Sequence, residues 1–286
     1  MTAASDTIRI MERSDLPAGL RLSHQAQWNQ TPEDWRRLLD WEPAGCFALD
    51  LAGQVVGTVT TTCYGGDLAW VGMLLVDAAN RQRGFGRRLL LHALAYLEQR
   101  GIGAVMLDAT PLGRPLYEHL GFQEQYGLDR WQGIARIPPA ALPNARPLDF
   151  GTVSPAVLDL DRRAFGLDRS RLLVGLLTGT QAKGLWAGTT DQPAGYVMLR
   201  PGAERWHVGP LVANDAASAA RLLQSALATL NGHAVELDVP SFPFAHEIVR
   251  GAGLSPVRPF IRMLRGKPPP AGDLSRVYAT AAPEIG

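Results

Sequence analysis

LAWVGMLLVDAANRQRGFGRRLLLHALAYLEQRG, residues 68–101, decides the fold. Its first nine residues form a nearly continuous apolar run of strand length, as expected for a strand buried on both faces. The chain then turns polar, basic and glycine-containing over residues 77–88, and an apolar-periodic stretch follows at 89–101. There Leu90, Leu94 and Leu97 share one helical face with Ala93, and Gly101 supplies a stop. A strand is predicted at 104–110 (AVMLDAT) and a short helix at 113–122 (GRPLYEHLGF). Strand, glycine loop, helix, strand and helix in that order define an α/β unit.

Working outward, residues 46–64 read as a hairpin turning at 52–54, and residues 7–12 as a first strand. Helices are predicted over 16–28 and from Pro32, where Thr31 is the N-cap and Asp34 falls in the first turn. The second half echoes the first. Residues 204–213 repeat the Trp and Val-Gly pattern of 68–76, 217–230 repeats the helix, 234–240 repeats Leu-Asp within a strand, and Gly253-Leu254 repeats Gly121-Phe122. Prolines 138, 139, 143, 147 and 155 interrupt the chain between the copies, so the predicted division is 1–140 and 141–286. A late strand is predicted at 276–282.

The 286 residues carry a formal net charge of +1, which gives no global field for nucleic acid or anionic membrane. The two cysteines, Cys46 and Cys63, have neither disulfide-framework nor metal-site spacing, so no metal is expected and a cytoplasmic location is. The N-terminal residues lack a basic start followed by an apolar stretch, and no apolar run reaches membrane-spanning length.

The chemistry lies in Arg81-Gln82-Arg83-Gly84-Phe85-Gly86-Arg87-Arg88, set between a core strand and a helix start. Free N–H groups and the helix dipole favour an anion there, glycines let it approach the backbone, and arginines add charge. The plainer reading, a solvated basic turn, is outweighed by this position. A P-loop needs Gly-Lys-Ser/Thr at its end, and a dinucleotide fingerprint needs a third glycine; neither is present. The second copy has only Asn-Asp-Ala at 214–216, with no such cradle.

Arg81-x-x-Gly84-x-Gly86, with Leu-Leu-Val (74–76) before it and Leu-Tyr-Glu-His-Leu-Gly-Phe (116–122) after it, resembles the acetyl-CoA signature of the GNAT acyltransferases. The resemblance covers about residues 7–132. The whole chain is similar to bacterial tandem GNAT proteins, through Ala164–Arg169, Arg200–Gly202 and Gly209–Ala213. It implies an α/β (α+β) architecture of two GNAT-like domains, each a mixed, mostly antiparallel twisted sheet flanked by helices, with the second one degenerate.

The resemblance also implies site roles. Leu74, Leu75 and Val76 offer backbone to the pantetheine arm. Arg81, Gln82, Arg83, Gly84, Phe85, Gly86 and Arg87 hold the diphosphate. Thr110 stands where the family often has Asn, and Tyr117 sits near the thioester sulfur as general acid. For the base, Asp108, His24 and a water relay stand as alternatives; the retained Leu237-Asp238 of the second copy favours a structural role for Asp108. His24, Trp28, Asn29 and Trp70 are the candidates for lining the acceptor pocket.

The expected reaction is acetyl transfer from acetyl-CoA to a primary amine by direct attack in a ternary complex. The alternative is a non-catalytic acyl-CoA sensor. The expected partners are a small-molecule or exposed amine, with no nucleic acid and no membrane, in a monomer or homodimer.

Overall fold

A computed structural model describes residues 6–136, 145–148, 153–179 and 181–286. The first half contains β1 (Asp6–Ile10), α1 (Leu16–Gln25), α2 (Pro32–Trp41), β2 (Phe47–Leu51), β3 (Gln54–Tyr64), β4 (Leu68–Val76), α3 (Phe85–Gln99), β5 (Ala104–Ala109), α4 (Arg114–His119) and β6 (Gln123–Ile134). The second contains β7 (Arg146–Leu148), α5 (Pro155–Phe165), α6 (Ser170–Leu176), β8 (Lys183–Gly188), β9 (Pro193–Pro201), β10 (Trp206–Ala213), α7 (Ala216–Thr229), β11 (Ala234–Pro240), α8 (Pro243–Gly251), β12 (Ser255–Gly266) and β13 (Val277–Ala279). Among the described residues, no helix is long and apolar enough to cross a membrane.

Local chemistry explains the elements that position the site. α2 starts at a reciprocal capping box: the Thr31 hydroxyl accepts from the Asp34 amide, and the Asp34 carboxylate accepts from the Thr31 amide at 2.8 Å. α3 starts at Gly84, whose φ of +77° is left-handed, and buries Leu90, Ala93, Leu94 and Leu97 against the sheet. The expected helix at 89–101 thus starts one turn earlier, and the expected helix at 16–28 stops at Gln25.

The strands form one continuous sheet in the order β1-β2-β3-β4-β5-β12-β6-β11-β10-β9-β8-β7, with β13 against β10. It is mostly antiparallel; β4–β5 and β10–β11 are the parallel pairs. The two halves exchange strands. β12, from the second half, pairs with β5, and β6, from the first, pairs with β11.

Each exchanged strand is pinned by a buried two-pronged ion pair at directly opposed positions. Arg262 Nε and Nη2 donate to the Asp108 carboxylate, both at 2.8 Å, and Arg130 does the same to Asp238 at the same distance. These side chains are all less than a tenth exposed. A fork of this kind matches guanidinium to carboxylate and fixes strand register.

One apolar core packs α3 and α4 against the first half's sheet; another packs α7 and α8 against the second's. A third cluster runs under α1, α2, α5 and α6, joining Trp35 and Trp70 to Leu173 and Tyr196 across both halves.

Candidate active site

Two features of β4 make a cleft. It pairs with β5 only at Leu68–Trp70, and beyond Trp70 the two parallel strands diverge. Its pairing with β3 shifts register between Thr58 and Thr60, leaving a bulge at Met73, whose φ is +48°. The Thr58 hydroxyl donates to the Met73 carbonyl at 2.9 Å and holds the bulge. Bulges re-aim backbone groups, and this one lies just before Leu74, Leu75 and Val76. Met73 and Thr58 were not legible in an apolar run and a threonine-rich strand.

At the end of β4 the arginine–glycine turn runs into α3. Gln82 (φ +60°) and Gly84 both adopt left-handed backbone. Among the described residues, no protein acceptor takes the main-chain N–H of any residue from 82 to 87; the first engaged amide is Arg88, to the Gly84 carbonyl at 3.1 Å. These groups lie at the positive end of a fifteen-residue helix. The turn's charges divide. Arg88 is neutralised by Asp6 at 2.7 Å. Arg81 reaches only the Val76 carbonyl, Arg83 reaches Asn80 and lies over the Phe85 ring, and Arg87 has no partner among the described residues. Phe85 itself is buried and anchors the turn.

The second half closes both features. α7 is capped by the Asp215 carboxylate, which accepts from the Ser218 amide at 2.7 Å. That hydrogen bond keeps its pKa below the usual carboxylate range, so a negative charge occupies the helix mouth. The divergence of β10 from β11 is filled by β13, which pairs with Leu211 and Val212. Calorimetry with coenzyme A is expected to give one site per chain; two sites would contradict this reading of Asp215 and β13.

Tyr117 is half-buried on α4, edge-on to Phe122 at 5.9 Å, and its hydroxyl has no protein partner among the described residues. Burial pushes its pKa up to about 12. Thr110 holds the turn before α4, its hydroxyl accepting from the Gly113 amide at 3.2 Å.

The expected acceptor-side residues divide as well. His24 and Trp28 line an open groove of about 520 Å³ along α1, with Leu20, Arg21, Pro17 and Pro32. Arg21 and Gln25 tie that wall to Asp77, next to the end of β4. Asn29 is instead a clamp between the halves. Its Nδ2 donates to the Arg205 carbonyl at 2.8 Å, and its Oδ1 accepts from the Glu204 and Arg205 amides.

Two expectations need correction. Trp70 does not wall a pocket: it is fully buried, with its Nε1 donating to the Pro283 carbonyl at 2.8 Å and Gly286 against its ring. Asp108 is not poised as a base, because both its oxygens accept from Arg262. No group of metal-ligating side chains occurs among the described residues.

These features, a bulged and diverging β4 followed by an uncapped basic turn into a helix, appear in full in one half and closed in the other, the pattern of a duplicated fold. Residues 15–122 match the acetyltransferase (GNAT) family, and residues 157–279 match an acetyltransferase (GNAT) domain. The chain belongs to the GNAT family as a tandem protein, and it is an acyltransferase.

It is 25% identical over 262 residues to holothin acyltransferase of Pseudoalteromonas sp. (strain SANK 73390), spanning 91% of this chain and 87% of that one. A crystal structure described as an acetyltransferase of Pyrococcus horikoshii superposes with a TM-score of 0.87 at 22% identity, over 100% of this chain and 97% of that one. A tandem GNAT protein from the clavulanic acid biosynthesis pathway gives a TM-score of 0.63 at 16% identity, over 93% of this chain and all of the other. The GNAT family generally uses acetyl-CoA and acts on amines.

Proposed function

We propose that the chain transfers an acetyl group from acetyl-CoA to a primary amine by direct attack in a ternary complex. Residues 1–140 would carry the cofactor site, and residues 141–286 would shape the acceptor side. The observation that carries this is the set of main-chain amides at 82–87 without a protein acceptor among the described residues, beside Arg81 and Arg87, which have no carboxylate partner among them. A diphosphate accepts several such bonds at once. The diverging edge of β4 at Leu74–Val76 suits the pantetheine arm, and the bulge presents backbone dipole to the thioester carbonyl.

Holding both reactants in one cleft lowers the barrier by several kcal/mol. The amine nitrogen attacks the carbonyl carbon, the carbon–sulfur bond breaks, the thiolate takes the Tyr117 proton, and the N–H proton shed by the new amide returns through water to the Tyr117 oxygen. A phenol with a pKa pushed up to about 12 remains protonated through the physiological range.

Apolar and aromatic surface makes up much of the groove beside α1, and no carboxylate is among its lining residues. It suits an amine with a flat, weakly charged body better than a polycation. In an assay of free coenzyme A release, tryptamine or benzylamine is expected to be used at least tenfold more efficiently than spermidine. The reverse order would reject this reading of the groove.

Gly86→Glu tests the cradle. Gly86 lies in the first turn of α3, where a carboxylate favours the helix dipole yet occupies the anion's place. The variant is expected to fold with an unchanged melting temperature and to lose coenzyme A binding by more than a hundredfold, read by calorimetry. Retained binding would remove the cradle from the account.

A further inference from the structure

A small, partly open polar chamber of about 20 Å³ lies at the seam between the halves. That volume holds one water molecule, or an ammonium group of similar size. The charged and titratable groups facing it come from five strands and helices and one terminal segment: Asp34 (α2), Arg130 (β6), Arg200 (β9), His207 (β10), Glu236 (β11) and Glu284. Three buried polar atoms on its lining residues have no protein partner among the described residues: Gln30 Oε1, Arg200 Nη1 and His207 Nε2. A buried polar group left without a partner is costly, so three at one chamber call for a polar occupant.

The chamber is close to the reacting centre. Glu284 lines it, and the main chain of Glu284 packs on Gly72 so tightly that a Cβ there would meet the Glu284 carbonyl at 2.6 Å. Gly72 immediately precedes the Met73 bulge. The Glu284 carboxyl makes no hydrogen bond to another residue among the described ones, and burial raises its pKa.

The opposite wall is oriented. His207 Nδ1 lies 3.8 Å from Glu236 Oε1. Burial opposes ionisation of Glu236, but its neighbours His207 and Arg130 outweigh burial and bring its pKa down to about 2. A carboxylate on the Nδ1 side favours the Nδ1–H tautomer and leaves Nε2, which has no protein partner among the described residues, free to accept a proton. Glu236 also lines a second opening, of about 150 Å³, with Glu204 and Arg205.

We propose that His207, oriented by Glu236, accepts the proton of the acceptor amine through a water held in this chamber beside Glu284, so that the base of the reaction comes from the second half of the chain. The inference rests on the acetyl-transfer reading and names the base that reading lacks. The ammonium N–H bond breaks toward the water, the water passes a proton to His207 Nε2, and the neutral amine is left to attack. The imidazolium, stabilised by Glu236, returns its proton to solvent on the side of Glu204 and Arg205. Glu236 is a positioning residue here.

The test uses the full chain, acetyl-CoA and the best amine of the panel above. His207→Gln is expected to lower kcat about 10- to 100-fold at neutral pH with KM for acetyl-CoA unchanged. The loss should shrink as pH rises toward the amine's own pKa, where no base is needed. Glu284→Gln, which keeps shape and removes a carboxylate, should shift the acidic limb of the same profile. Nitrogen NMR of the unmodified protein should show His207 protonated at Nδ1 and bare at Nε2.

A loss in His207→Gln that is the same at every pH, a kcat within twofold of the parent, or an Nε2–H tautomer would each overturn the relay. If His207→Gln does not fold, the Glu284→Gln profile and the tautomer decide. Absence of transfer by the parent to any amine would instead remove the acetyl-transfer reading and the relay with it, whereas transfer with unaltered variant profiles removes the relay alone.

Discussion

Tyr117→Phe is expected to lower kcat for acetyl transfer by about 10²- to 10³-fold while acetyl-CoA binds within twofold of the parent. The substitution removes one hydroxyl and keeps the ring that packs on Phe122. That hydroxyl has no protein partner among the described residues, so its removal breaks no structural bond. What is lost is the proton for the departing thiolate, which then re-attacks. With the Tyr117 pKa pushed up to about 12, the donor stays protonated as pH rises, and the parent should show no alkaline loss of kcat from this group below about pH 10. Full activity in Tyr117→Phe would remove the general acid from the mechanism. A parent that binds acetyl-CoA and never releases coenzyme A would favour a sensor over an enzyme.

The second large effect concerns stability. Asp108→Ala leaves the Arg262 guanidinium buried without its carboxylate, and breaking a buried pair from one side costs about 3–5 kcal/mol. For a chain of this size the melting temperature should fall on the order of 10 °C. The double replacement Asp108→Leu with Arg262→Met removes both charges and should recover most of the loss. Because Arg262 arrives on a strand from the other half, near-ultraviolet circular dichroism should show both halves of Asp108→Ala melting in one transition. If Asp108→Ala is as stable as the parent, or the double variant is no better than the single one, the fork does not hold the exchange together.

Much of the first half was legible because its signals are local. The apolar run of β4, the glycines before α3 and the leucine spacing of α3 each lie within a few turns of one another. Thr31 as the cap of α2 was legible for the same reason; the reciprocal bond from Asp34 was not. What was not legible depends on distant partners. β6 and β12 are polar to the eye, and the arginines that pin them, Arg130 and Arg262, find their carboxylates at Asp238 and Asp108. No local period announces an exchange of strands.

Leu107-Asp108 and Leu237-Asp238 gave a partial hint: a position kept in a copy without a cradle is more readily a fold position than a base. Trp70 misled because its strand is central to the cleft, and the segment that covers it, residues 283–286, lies more than two hundred residues away. The basic, glycine-containing turn before α3 was visible from composition and place. That its amides are unengaged, and that Asp215 and β13 close the equivalent features in the second half, required the structure.

The measurement that bears most directly on the central claim is a crystal structure of the chain soaked in coenzyme A. The account predicts one molecule per chain, its diphosphate accepting main-chain N–H groups from residues 82–87 and its pantetheine arm along Leu74–Val76. Coenzyme A bound elsewhere, or a turn at 82–87 that stays bare at saturating ligand, would contradict it.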